Sequence, residues 1–127
     1  MEGGDVTRLD FGVERSAEAP RRVRRELSDW MAGIDCPEQT AHDALLVVSE
    51  LVTNAIVHAD SDPRVVVTFD EGRLRIEVHD HGVAAPQVRP KPGPDGGYGL
   101  RVVAAAADGW GWVPTSTGKV VWTEMLC

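Results

Sequence analysis

The chain changes its polar–apolar rhythm several times, and each change predicts an element. Val6–Gly12 carries Val6, Leu9 and Phe11 among polar neighbours, the loose alternation of a short edge strand. Ser16 and Pro20 mark a helix start. Val23, Leu27, Trp30, Met31 and Ile34 then recur at the spacing of one apolar helical stripe, and Arg21, Arg22, Arg24 and Arg25 lie off it. A second helix is expected from Asp35, Pro37 and Glu38: Asp35 and Glu38 are spaced for a capping box, and proline is tolerated in a first turn. Through about Ala59, the residues Ala41, Ala44, Leu45, Val48, Leu51, Val52, Ala55 and Ala59 share one broad face suited to packing on a sheet. The opposite side holds Leu46, Val47, Ile56 and Val57, so this helix is expected to be covered on both sides. Glu50 and Asn54, one turn apart, interrupt that second apolar side.

Pro63–Asp70 and Arg73–Asp80 read as two strands joined through Asp70-Glu71-Gly72, a hairpin signal. Val65-Val66-Val67-Thr68-Phe69 has the β-branched and aromatic content of a core strand, while Leu74, Ile76 and Val78 alternate with Arg73, Arg75, Glu77 and His79. Val83–Gly96 contains Pro86, Pro90, Pro92 and Pro94 and admits no regular element; a loop of that length in a small domain is a candidate functional loop. Leu100–Ala107 returns to a helical pattern. Trp110–Val113 and Val120–Met125 form a closing hairpin around Ser116-Thr117-Gly118. Hairpin-linked strands mixed with helices predict an α+β two-layer fold, a mainly antiparallel sheet with helices on one face.

The 127 residues fit one domain spanning 1–127. Hydrophobic residues at 43% and charged residues at 26% are ordinary globular usage, which excludes long disorder, collagen and coiled coil. A net charge of -7 argues against phosphate tracking on nucleic acid. The four clustered arginines are then a solvated helix face or a protein-docking patch. No apolar run approaches the roughly 20 residues of a membrane span, and the N-terminus lacks the order of a signal peptide, so no membrane association and a cytoplasmic location are expected. Cys36 and Cys127 have no CxxC or CxH neighbour and are expected to be free thiols.

Three short motifs could carry chemistry. Glu50 and Asn54 at i, i+4 point the same way; a carboxylate can take a proton from a hydroxyl, and an amide oxygen is a hard ligand for Mg²⁺. Asp80-His81-Gly82 ends a strand, where a carboxylate can accept from an exocyclic amine and a glycine admits a flat ligand close to the backbone. Gly96-Gly97-Tyr98-Gly99-Leu100 opens a helix whose first N–H groups favour anions such as phosphates. Each motif alone is common: an exposed polar pair, a turn and a hinge account for them equally well.

Their order, E-x-x-x-N on a helix, D-x-G at a strand end, a long loop, then G-x-G-L at a helix start, resembles the GHKL ATPase superfamily, the fold of gyrase and sensor histidine kinases. Ser49-Glu50-Leu51-Val52-Thr53-Asn54-Ala55, Gly118-Lys119-Val120-Val121-Trp122 and the Arg-Arg-Val-Arg-Arg-Glu-Leu run look more closely like the anti-sigma factor serine/threonine kinases. The resemblance spans about Ala19–Leu126. It implies an ATP- and Mg²⁺-dependent protein kinase that phosphorylates an anti-sigma factor antagonist and sequesters a sigma factor, with homodimerisation. It further implies that Asp80 binds the adenine amino group and Gly82 shapes the adenine floor. Asn54 would ligate Mg²⁺, Glu50 would act as general base, and Gly97, Gly99 and Leu100 would hold phosphates at the helix N-terminus. The loop at about 83–96 would be the ATP lid. Ala84 replaces the second glycine of D-x-G-x-G, Asp95, Gly96 and Tyr98 stand where an arginine is common, and Val120 stands where a threonine is common. These departures bear on catalysis more than on nucleotide binding. The alternative function is a non-catalytic module, nucleotide-bound or degenerate, that works by sequestering a protein.

Overall fold

The computed structural model describes residues 7–59, 61–82 and 99–127. In chain order the elements are β1 (Thr7–Gly12), α1 (Ala19–Met31), α2 (Glu38–Ala59), β2 (Arg64–Asp70), β3 (Arg73–Asp80), α3 (Gly99–Ala106), β4 (Gly109–Pro114) and β5 (Lys119–Leu126). The strands form one five-stranded antiparallel sheet in the order β1-β2-β3-β5-β4, with β1 at one edge and β4 at the other. The architecture is the expected α+β fold.

Period-two alternation decides which side of the sheet meets the helices. In β3, Leu74, Ile76, Val78 and Asp80 are buried, and their register partners Met125, Thr123, Val121 and Lys119 are the buried positions of β5. The opposite face is polar. There Arg64 pairs with Asp10, and Arg75 bonds both Glu77 and Glu124 while its guanidinium stacks on Trp122. The β2–β3 turn places Glu71 and Gly72 at φ 52° and 77°, the doubly left-handed geometry that suits the twist of a two-residue hairpin.

Pro20 sits in the first turn of α1, whose Val23, Leu27 and Met31 are buried. The helix ends three residues before Ile34, which is carried instead by a tight turn in which the Ile34 N–H donates to the Met31 carbonyl. Helix α2 is the central helix, packed against α1, α3 and the sheet, with Ala44, Val48, Leu51, Val52 and Ala55 buried. Its far side is covered only in part: Val47 is fully buried, whereas Leu46 is 40% and Val57 49% exposed. By length and composition α2 is apolar enough to cross a membrane, contrary to expectation, and part of that apolar surface is packed into the core. The Asp35–Glu38 capping box does not form; the Pro37 carbonyl accepts the Ala41 N–H and opens the first turn.

The free-thiol expectation is overturned, because Cys36 and Cys127 form a disulfide. They are 91 residues apart in sequence, but the Cys127 N–H donates to the Gly72 carbonyl, which leads the C-terminus back along the β2–β3 hairpin, and the two Cα atoms lie 4.7 Å apart. The staple joins the chain end to the segment preceding α2.

Candidate functional site

The end of β3 and the start of β5 are register partners, with Asp80 opposite Lys119. The alternation that buries Leu74, Ile76 and Val78 brings Asp80 inward next, and that of Val121, Thr123 and Met125 brings Lys119 inward. Both side chains are buried, 3% and 8% exposed, and Lys119 Nζ donates to Asp80 Oδ1 at 3.0 Å. A lone carboxylate in this position would be costly, and the ammonium supplies its counter-charge. Asp80 Oδ1 also accepts the Gly82 N–H at 2.8 Å, closing a local turn. The His81 N–H donates to the buried Ser61 hydroxyl, which ties this turn to the segment after α2.

Two glycines let the strand ends meet. A Cβ on Gly82 would lie 2.8 Å from the Ala59 Cβ and 2.9 Å from Lys119 Nζ. A Cβ on Gly118 would overlap the Asp80 carbonyl and lie 2.6 Å from the His81 Cα. Asp80, Gly82, Gly118, Lys119 and the last residue of α2 thus form one tight cluster.

Helix α2 carries the other candidates toward this cluster. Asn54 and Glu50 precede Ala59 by five and nine residues, roughly 8 and 13 Å along the helix axis, and both are half-buried. Arg24 crosses from α1 to donate to the Ser49 hydroxyl at 3.0 Å, and the Thr53 hydroxyl donates to the Ser49 carbonyl. Arg24 therefore braces the turn of α2 that bears Glu50, while Arg21, Arg22 and Arg25 are exposed. The arginine cluster is not a uniform face: one member is a bridge between helices.

Gly99 begins α3, and the Leu100 side chain is in the hydrophobic core at 3% exposure, so Leu100 can offer a ligand only its backbone. Gly97 and the proposed lid at 83–96 lie outside the described residues, as do Ala84, Asp95, Gly96 and Tyr98. Sequence reasoning missed Lys119 and Gly118 as parts of the cluster. The signal was present: a lysine at the inward phase of β5, after a glycine, is out of place in an apolar series.

An anionic acceptor beside a glycine can recognise a flat group bearing an amino donor. The half-buried Glu50 and Asn54 supply a proton acceptor and a hard oxygen. No curated protein matches the sequence with significant similarity. In structure the chain is similar to the crystal structure of the RsbU and RsbW domains of Rv1364c from Mycobacterium tuberculosis, with a TM-score of 0.73 and 20% identity. That match covers 94% of this chain and 32% of the other, so the chain spans about a third of that protein's length. Residues 13–125 match the histidine kinase-like ATPase domain, and the chain belongs to that family.

Proposed function

We propose that the protein binds ATP with Mg²⁺ and acts as a regulatory serine/threonine kinase on an anti-sigma factor antagonist, and that it also sequesters a sigma factor. The observation that carries the reading is the joint position of Asp80, Gly82 and α2: an anionic acceptor at a strand end, a glycine with no room for a side chain, and a helix bearing Glu50 and Asn54 beside it. Family membership and the likeness to a structure that includes an RsbW domain support it. A homodimer and a cytoplasmic location accompany the proposal.

In this reading Asp80 accepts the adenine amino group and Gly82 lies under the ring. Gly97, Gly99 and the backbone at Leu100 would hold phosphates, and the segment at 83–96, outside the described residues, would be the ATP lid. Among the described residues no cluster of three His, Cys, Asp or Glu side chains could hold a metal ion. Mg²⁺ keeps water and substrate phosphates as most of its ligands and asks the protein for only one or two oxygens, of which Asn54 would supply one. The bound ion would offset the charge of the phosphates. Glu50 takes the proton of the acceptor hydroxyl as its oxygen bonds to the γ-phosphorus and ADP departs.

The test is phosphoryl transfer from labelled ATP to candidate antagonist proteins. Glu50→Gln keeps size but cannot take the proton, so transfer should fall about 10²–10⁴-fold while ATP binding persists. Wild-type transfer by Glu50→Gln contradicts the base assignment. ATP binding by the wild type without any transfer leaves the sequestering module as the function.

A further inference from the structure

The Asp80 carboxylate is already engaged before any ligand arrives, and the manner of its engagement is specific. Both of its contacts among the described residues, from Lys119 Nζ at 3.0 Å and the Gly82 N–H at 2.8 Å, fall on Oδ1. A carboxylate has two oxygens and about four lone-pair sites, so two donors on one oxygen fix its plane and aim the other. Lys119 is itself held: its backbone is in register with Asp80, its side chain is buried, and the Gly82 backbone closes one side of the ammonium. Among the described residues Asp80 is the anion paired with Lys119. Withdrawal of the ammonium would strand a buried charge, which is strongly unfavourable.

We propose that Lys119 is a positioning residue for base recognition: it stays bonded to Asp80 Oδ1 when nucleotide binds and presents Oδ2 to the exocyclic amine of the base. This rests on the nucleotide reading of the site. Opposite an ammonium, the carboxylate is an acceptor only, so the pair selects a 6-amino purine and rejects a 6-oxo purine at the same position. Lys119 touches neither base nor phosphate; it acts through Asp80.

The experiment compares ATP with inosine triphosphate, which carries an oxygen in place of the 6-amino group, by calorimetry on the wild type and Lys119→Met. The wild type should prefer ATP by about tenfold or more, the scale of a hydrogen bond to a charged group. Lys119→Met should lose most of that preference by weakening ATP while leaving inosine triphosphate unchanged. Equal weakening of both ligands, which is what a merely structural lysine would give, overturns the proposal, as does an unchanged ATP affinity. Binding of neither ligand by the wild type removes the nucleotide reading itself and the proposal with it. Should Lys119→Met not fold, ¹⁵N NMR of the wild-type lysine ammonium groups decides the matter, since Lys91 and Lys119 are the only two lysines. The Lys119 signal should stay protected from solvent exchange at saturating ATP; loss of protection would show that ATP displaces the ammonium and would overturn the proposal.

Discussion

Lys119 and Asp80, 39 residues apart in sequence, meet as a buried ion pair at 3.0 Å where the last residue of β3 faces the first residue of β5. The pair joins the stability of the fold to the chemistry of the candidate site, because the group that would read a nucleobase also neutralises an interior ammonium.

Asp80→Asn therefore acts on stability as well as on any ligand. It leaves the Lys119 ammonium without its counter-charge, and breaking a buried pair from one side costs about 3–5 kcal/mol. Urea unfolding should show a loss of that size for Asp80→Asn, and the Asp80→Asn/Lys119→Met double variant should lose less than the two single losses added together. Strict additivity would mean that the pair carries no coupling.

Gly118→Ala should be among the most damaging small substitutions in the chain. Its methyl group would overlap the backbone carbonyl of Asp80, an obstacle that no side-chain rotation relieves. Overpacking of this kind costs about 1–3 kcal/mol or more. Gly12→Ala, where a Cβ meets nothing within 4 Å, is the control that should lie within about 0.5 kcal/mol of wild type by the same unfolding measurement.

The Cys36–Cys127 disulfide closes a loop that takes in α2 through β5 and leaves β1 and α1 outside it, with a sequence separation of 91. On the chain-entropy view such a loop contributes about 4–5 kcal/mol, which reduction removes. Denaturant midpoints with and without reductant should differ accordingly, and Cys127→Ser should match the reduced wild type under both conditions. Because the staple lies before α2 and the candidate cluster lies at its far end, about 30 Å along the helix, ligand affinity of the folded protein should not change on reduction.

Those two contacts mark what the sequence could and could not disclose. The alternation of Leu74, Ile76 and Val78 locates β3 and leads to Asp80, and Asp70-Glu71-Gly72 locates its hairpin, because strand period and turn chemistry are local properties. The i, i+4 pairing of Glu50 with Asn54 is local too, and α2 keeps it. Contacts of long sequence separation are different: Cys36 with Cys127 and Asp80 with Lys119 depend on how β5 inserts between β3 and β4, which no window of the sequence encodes. The divided role of the arginines was hidden for the same reason, since Arg24 is distinguished from its neighbours only by Ser49 on another helix.

Acid should weaken the fold through the open sheet face. Hydrogen bonds from Arg64 and then Arg8 lower the Asp10 carboxyl from 3.8 to about 2. Burial pushes the Glu77 carboxyl up, but hydrogen bonds from Arg75 and His79 outweigh it and the net direction is down. A carboxyl depressed on folding stabilises the folded state above its unfolded value and loses that contribution as pH falls through the folded value. Stability should thus hold at neutral pH and decline from about pH 4 toward 2, and Asp10→Asn should decline less over that interval in urea unfolding followed by circular dichroism.

The central claim is that the cluster at the end of β3 and the Glu50–Asn54 turn of α2 form one ATP–Mg²⁺ site. Calorimetric titration of ATP, with and without Mg²⁺, into the wild type and Asn54→Ala tests it most directly. The account predicts that the wild type binds ATP, that Mg²⁺ tightens the binding, and that Asn54→Ala loses the increment due to Mg²⁺ while retaining the fold. A folded wild type that binds no ATP at any Mg²⁺ concentration, or an Asn54→Ala variant that keeps the full Mg²⁺ increment, would contradict it.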